Sequence, residues 1–375
     1  MSSCSEIGER ELIGRISEIL GGIVNDDCAV IDAGDRFLVA TTDMLHLKTD
    51  FPGIMNPWQM GWMTVAVNLS DIAAMGAEPA GVLIAAGLPP EADLYFIDEL
   101  FSGIGDCAGY YGTRVLGGDT DAHQELTLVG TALGFVEKDL VLRRSGARVG
   151  DLLCTTGKLG GAGGGLWAWK QGDLENELIQ KLLEPEPRLK EGRALARSQA
   201  VTAMMDNSDG LALSLFDLAA ASRVGFVIKE EVLPLATGLE EMVGQKEALQ
   251  MVLSAGGDFE LVFTVRPEAL DAARKACELT VIGEVAEEGI WLEKDGERRR
   301  MEAKGYEHRI GGCVAPRLRP GGDGWTPEGG GDGPERGRGL RAGLHCAVWR
   351  AAGGEEGVRA DGYRRGDSGW DLDGD

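Results

Sequence analysis

Residues 64–81, TVAVNLSDIAAMGAEPAG, read as the interior and the end of one helix. Upstream, Pro57 stands where a helix can begin, because its missing N–H is an orphan there in any case. Trp58, Trp62, Val65, Leu69 and Ile72 recur at helical spacing and predict an apolar stripe. Gly76 sits where a left-handed cap belongs, and Pro79 cannot continue the helix. Thr64, Asn68 and Asp71, spaced four and three apart, project together from another face. A carboxylate beside an amide on a small-residue helix suits a bulky charged ligand. An ordinary solvated face is the competing reading, and the other aspartates decide between them.

The 375 residues favour two domains. A hydrophobic share of 43% and a charged share of 26% are those of a globular protein. No apolar run is long enough to span a membrane. The opening MSSCSEIGERELIGRI lacks the apolar core of a signal peptide, and the seven cysteines include no CxxC pair. A reduced, cytoplasmic protein is expected. The net charge of −24 argues against nucleic acid as the partner, since phosphate backbones want Lys and Arg. It leaves room for a phosphorylated substrate if metal ions mediate the contact.

Residues 7–20 read as an amphipathic helix burying Ile7, Leu12, Ile16 and Ile19. VNDDCAVID is a turn into a short strand with Asp26 and Asp27 at its mouth. RFLVATT, residues 36–42, is a buried strand with Asp43 at its end, where ligand sites collect in α/β sheets. After the central helix come a small-residue strand over 81–87, a helix over about 91–110, and TRVLGGDTD, a strand broken at Gly117–Gly118 with Asp119 at its exit. ELTLVGTALGFV is a further strand, rich in β-branched residues. A second unit starts near residue 148 with RVGDLLCTTG, continues through a Trp-containing helix and a helix over 191–200, and adds VTAMMD, the helix LALSLFDLAAAS, GFVIK, ELVFTV and LTVIGEV. Strands and helices mix in both halves, so the expected fold is α/β, of the α+β type, in two lobes: 1–147, 148–312, and a Gly/Pro/Arg/Asp-rich tail over 313–375. The tail cannot bury enough apolar surface to offset its chain entropy, and disorder is expected there. Its bias fits a natural tail and a shifted GC-rich reading frame equally well.

Six aspartates stand at predicted strand ends, turns or the central helix: Asp27, Asp43, Asp71, Asp119, Asp206 and Asp209. Asp206 and Asp209 belong to DNSDG just before a helix, where backbone N–H groups, the Ser208 hydroxyl and the helix dipole suit an anion. Crowded carboxylates repel and persist together only with cations between them. Hard oxygen ligands of this kind suit Mg²⁺, shared with substrate phosphates. The alternative is six unrelated caps and turns. GKLGGAGGG, residues 157–165, is not a P-loop, because Leu159 follows Lys158. It is either a loop that approaches a nucleotide or a turn where helix and strand pack closely. No nucleophilic triad is evident, and His46, His123, His308 and His345 have no obvious partner. Arg143–Arg144 could contact phosphate or be a solvated pair.

NDDCAVID, TTDMLH, TVAVNLSDIAAMGAEP, LGGDT, DNSDGLA and GGDFELVFT, in this order and spacing, resemble the thiamine-monophosphate kinases, in the superfamily of aminoimidazole ribonucleotide synthetase. The resemblance covers about residues 6–312. It implies a two-lobed PurM-like fold with an N-terminal domain that pairs in a homodimer. It also implies direct transfer of the γ-phosphoryl of ATP onto thiamine monophosphate with several Mg²⁺. By this similarity Asp27, Thr41, Thr42, Asp43, Asp71, Asp119, Asp206 and Asp209 match metal positions, with Asp43, Asp71 and Asp119 at the chemistry. Gly118, Arg143 and Ser208 match ATP contacts, and Phe101 stands where the family often has Tyr. Glu260 matches a thiamine-side contact and Tyr306 an aromatic near the substrate ring. Two departures are Asn25 in place of a Gly, and Asp50 in place of a substrate-contacting His. Competing readings are another ATP-using enzyme of the superfamily, of ribotide cyclo-ligase or hydrogenase-maturation type, and a non-catalytic nucleotide-binding regulator.

Overall fold

The computed structural model describes residues 8–306; the tail over 313–375 lies outside the described residues. The first unit runs α1 (Glu9–Ile19), β1 (Ala29–Asp32), β2 (Arg36–His46), α2 (Pro57–Ala74), β3 (Glu78–Leu88), α3 (Leu94–Tyr110), β4 (Val115–Ala122) and β5 (Thr127–Glu137). Its sheet has the order β1-β2-β5-β3-β4; β3 and β4 are parallel and the other pairs antiparallel. The second unit opens with β6 (Leu152–Thr155), α4 (Gly161–Gln171), α5 (Leu178–Leu183), α6 (Leu189–Ser198), β7 (Val201–Asp206), α7 (Leu211–Ser222) and β8 (Gly225–Lys229). It continues through α8 (Leu239–Val243), α9 (Gln245–Ser254), β9 (Leu261–Val265), α10 (Leu270–Ala276), β10 (Thr280–Ala286), β11 (Ile290–Lys294) and β12 (Glu297–Arg300). The second sheet has the order β12-β11-β8-β10-β6-β9-β7.

Helix α2 joins the two units. Asn56 and Gln59 form a reciprocal capping box around Pro57, and Gly76 closes the far end at φ +65°. The predicted bounds therefore hold, but the predicted amphipathicity does not. Thirteen of its eighteen residues are buried, Thr64 and Asn68 among them. Its core continues from Val39, Leu69, Ile72, Ile84 and Leu128 into Leu195, Met204 and Phe263 of the second unit. A helix wrapped on all sides loses its polar face.

Helices α2 and α3 cross backbone to backbone. A Cβ on Gly61 would stand 2.0 Å from the Leu100 carbonyl oxygen, and one on Gly103 would stand 1.9 Å from that of Trp58. Gly61→Ala must push the helices apart, and we expect a loss of about 2–3 kcal/mol, read as a lowered midpoint in thermal unfolding.

The glycine cluster is a packing device. Cβ atoms at Gly163 and Gly165 would meet Ala255 Cβ at 2.7 Å and the Leu178 carbonyl oxygen at 2.3 Å. Three expectations are corrected. Strand β2 runs on past Asp43 because its ladder with β5 continues to His46. Strand β4 runs through Gly117–Gly118, which pair with Leu83 and Ile84, so Asp119 is inside it. Helix α1 buries nothing: Ile16 is 43% and Ile19 73% exposed, and the Arg10–Asp217 ion pair ties the helix to α7. Ile7 lies outside the described residues.

Candidate active site

Three carboxylates from distant parts of the chain meet between the units. Asp27 precedes β1, Asp71 is on α2, and Asp206 ends β7; one oxygen of each lies within 4.8 Å of the others. Each is aimed by a neighbour. The Thr41 hydroxyl on β2 donates to Asp71 Oδ2 at 2.5 Å, and the Ser70 hydroxyl to Asp206 Oδ2 at 2.6 Å. Arg144 donates from Nε and Nη2 to Asp27 Oδ1, at 3.2 and 2.8 Å. What remains is informative. Asp27 Oδ2 and Asp206 Oδ1 are buried and have no hydrogen-bond partner among the described residues. Such orphans are costly unless a ligand takes them.

The electrostatics agree. Burial pushes the Asp27 carboxyl up to about 7, against the pull of Arg144. Burial, then the charges of Asp43, Asp206 and Asp27, holds Asp71 well above the usual carboxylate range. Asp206 is raised to about 6 by burial. Asp43 is raised to about 6 by burial and by the charge of Asp209, and Asp209 to about 6 by burial. Asp43 is steadied by its backbone N–H, which donates to Asn68 Oδ1 at 3.2 Å. The Asn68 and Thr64 side chains thus brace the backbone, and the expected shared ligand face reduces to Asp71. Burial raises five carboxyls here, and three of them, Asp27, Asp71 and Asp206, two with an orphaned oxygen, are a donor set for a hard divalent cation; the residues fit Mg²⁺.

The other sequence candidates divide. Arg143 donates to Asp26 at 3.2 Å on the rim, whereas Arg144 is the guanidinium inside the cluster. Asn25 accepts from Arg144 at 3.5 Å. Ser208 lies in the turn between Asp206 and Asp209. Tyr306 donates to Asp50 Oδ1 at 3.3 Å, and its N–H donates to the Asp209 carbonyl, so the first unit's turn and the second unit's last segment meet beside the cluster. Glu260 does not face a cleft. It is 3% exposed, it accepts from Arg188 through both oxygens, and Thr156 adds a bond at 2.6 Å. A substrate contact there would have to displace Arg188.

Thr42, Gly118, Asp119 and Phe101 are not brought to the cluster. Thr41 and Asp43 face α2, so the pleat turns Thr42 to the opposite face, where its hydroxyl donates to the Gly130 carbonyl at 2.9 Å. Asp119 pairs in register with Ala85 on the same outer face and is exposed. Strand β4 is three strands from β2, about 14 Å across the sheet. Gly118 lies opposite Ile84, whose carbonyl oxygen would be 1.8 Å from any Cβ. Phe101 is half-buried against the core on α3.

Two families match along the chain: AIR synthase related protein, N-terminal domain, over residues 25–136, and its C-terminal domain over 148–291. The thiamine-monophosphate kinase of Methanospirillum hungatei is 42% identical over 301 residues, which is 80% of this chain and 99% of that protein. A solved structure, AaThiL complexed with AMPPCP and TMP, superposes with a TM-score of 0.75 at 30% identity, over 82% of this chain and 99% of its own. The hydrogenase maturation protein HypE of E. coli superposes at 0.61 with 22% identity, over 78% of this chain and 97% of its own, a likeness of fold alone.

Proposed function

Because the chain belongs to the thiamine-monophosphate kinase family of AIR synthase related proteins, we propose that the acidic cleft between its two units is where the γ-phosphoryl group of ATP passes to the acceptor. The enzyme phosphorylates thiamine monophosphate with ATP, giving thiamine diphosphate and ADP. An oxygen of the acceptor phosphate attacks the γ-phosphorus, and the bond to the β,γ-bridging oxygen breaks. The acceptor oxygen is already a competent nucleophile, so the protein must position and neutralise rather than attack.

The observation that carries this reading is the pair of orphaned oxygens on Asp27 and Asp206 beside Asp71. These residues would hold Mg²⁺, which supplies charge neutralisation between two phosphate-bearing reactants. Arg144, Thr41 and Ser70 fix which oxygen of each carboxylate is presented. Tyr306 and Asp50 form the acceptor side, and Asp209 and Ser208 the turn that faces phosphate. We place the enzyme in the cytoplasm; among the described residues, no helix is long and apolar enough to cross a membrane.

The active form on this reading is a homodimer. The sheet face away from α2 exposes Ile31, Met44, Leu83 and Leu116, an apolar surface suited to a second copy. The same face carries Thr42 and Asp119, too far apart in one chain to share an ion. A two-fold pairing of these faces would set the partner subunit's Asp119 beside Thr42. Asp71→Asn and Asp119→Asn chains are each expected to be nearly inactive alone. Mixed and re-paired, they leave one intact site in half of the dimers, about a quarter of wild-type turnover. Formation of thiamine diphosphate, followed by thiochrome fluorescence, reads the outcome. No recovery on mixing, with both variants dimeric by light scattering, rules out completion by the partner. ATP binding without product in the wild type favours the regulator.

A further inference from the structure

The contact between α6 and the end of α2 is built from small residues. A Cβ on Gly192 would stand 2.2 Å from the Ala73 carbonyl oxygen, and one on Gly76 would stand 2.5 Å from Ala196 Cβ. Surfaces this flat pack closely but resist sliding poorly, since nothing interlocks. One polar group fixes them. Arg193 on α6 is 8% exposed, and its guanidinium reaches three groups of the first unit. Nε donates to Glu78 Oε1 at 2.9 Å, Nη2 to Glu137 Oε1 at 2.6 Å, and Nη1 to the Gly76 carbonyl at 3.2 Å. Glu78 starts β3, Glu137 ends the adjacent β5, and Gly76 caps α2. A planar fork read by three acceptors on three elements specifies orientation as well as contact. Arg197, one turn on, adds a bond to the same Glu78 oxygen at 2.9 Å.

The chain then makes a short path to the cluster. Helix α6 ends at Ser198, Gln199 reverses direction in the left-handed region at φ 53°, and β7 runs from Val201 to Asp206. At that far end the Ser70 hydroxyl of α2 holds Asp206. So α6 and β7 lie against one helix, clamped by Arg193 at one end and by Ser70–Asp206 at the other. Asp27 and Asp71 belong to the first unit, and Asp206 belongs to the second.

We propose that Arg193 is a positioning residue for the cation site: by fixing the seat of α6 on α2, it sets where Asp206 stands relative to Asp27 and Asp71. The inference rests on the reading that these three carboxylates hold a divalent cation. Arg193 touches neither ion nor substrate, so its loss weakens cation binding without removing a ligand.

Mn²⁺ is titrated into the nucleotide-free full-length protein, and free Mn²⁺ is followed by its paramagnetic resonance signal. Arg193→Gln is expected to raise the dissociation constant about tenfold, the range seen when a group supporting a ligand is lost. The Mg²⁺ concentration for half-maximal turnover rises in parallel, while turnover at saturating Mg²⁺ stays near wild type. The charge-exchanged pair Arg193→Glu with Glu137→Arg recovers part of the affinity. If Arg193→Gln does not fold, Glu137→Gln removes one arm from the exposed side and is expected to weaken Mn²⁺ binding in the same direction. A lowered melting temperature with unchanged Mn²⁺ affinity makes Arg193 a structural tie only and overturns the proposal. A wild-type protein that binds no Mn²⁺ defeats the cation reading itself, a different result from equal binding by wild type and variant.

Discussion

Asp71→Asn is expected to lower turnover at least ~100-fold while making the cation-free protein more stable, by about 1–3 kcal/mol near neutral pH. The two effects have one cause. Asp71 sits between Asp27 and Asp206, and burial with three neighbouring charges holds its carboxyl well above the ordinary range. Ionising it in the empty site costs free energy that only a bound cation returns. An amide of the same shape removes that cost. Its oxygen still accepts from the Thr41 hydroxyl, which bonds Asp71 Oδ2 in the wild type. The amide is a weak ligand, however, and leaves one negative charge fewer opposite two phosphates. Turnover in saturating Mg²⁺ and the melting temperature in chelator measure the two sides. Near-normal turnover denies Asp71 its role, and a fall in both quantities means that the side chain is needed for folding.

In chelator, the wild-type protein is expected to lose stability as pH rises from 5 to 8, the reverse of the usual behaviour of carboxylates. Asp27 is raised to about 7, and Asp43, Asp206 and Asp209 to about 6, all by burial first. In the unfolded chain such groups titrate near 3.9. The folded protein therefore holds more protons than the unfolded one between these values, and the slope of stability against pH is negative there. The stabilisation from keeping the carboxyls neutral is present at pH 5 and is lost as pH passes through 6 and 7. The loss is of order 4 kcal/mol, roughly 10 °C in melting temperature. Saturating Mg²⁺ should flatten or invert the trend, since the cation displaces the same protons and binds more tightly as they leave. A melting temperature that is level or rises with pH in chelator counts against a preformed carboxylate cluster.

Much of this was legible in the residues, and the failures have physical reasons. The ends of α2 could be read because Pro57 and Gly76 act locally, through a missing donor and a left-handed backbone. Asp43 and Asp119 look like strand ends in the sequence, but both lie inside strands, because pairing partners elsewhere in the chain extend the ladders. The pleat then puts Asp119 on the outer face, a fact of register that no local pattern contains. Arg143 and Arg144 are equivalent as a dipeptide; only the fold puts one on the rim and the other against Asp27. The hairpin of β11 and β12 carries too many charges to show a strand pattern, although Asp295–Gly296, both at positive φ, is the turn signal that would have found it. Helix α1 shows the converse: its apolar spacing promised a buried side, yet none of its residues is buried in one chain.

Helix α2 has a bearing on how the protein could be divided. One continuous core wraps it, with Leu69 and Ile72 on the helix itself and Leu195, Met204 and Phe263 arriving from beyond residue 148. A cut in the connecting segment 138–147 would leave the amino-terminal fragment with a naked apolar flank and the carboxyl-terminal fragment with the matching trough. The halves are separate in the primary structure and inseparable in the tertiary one, and each is useful only as the other's missing interior.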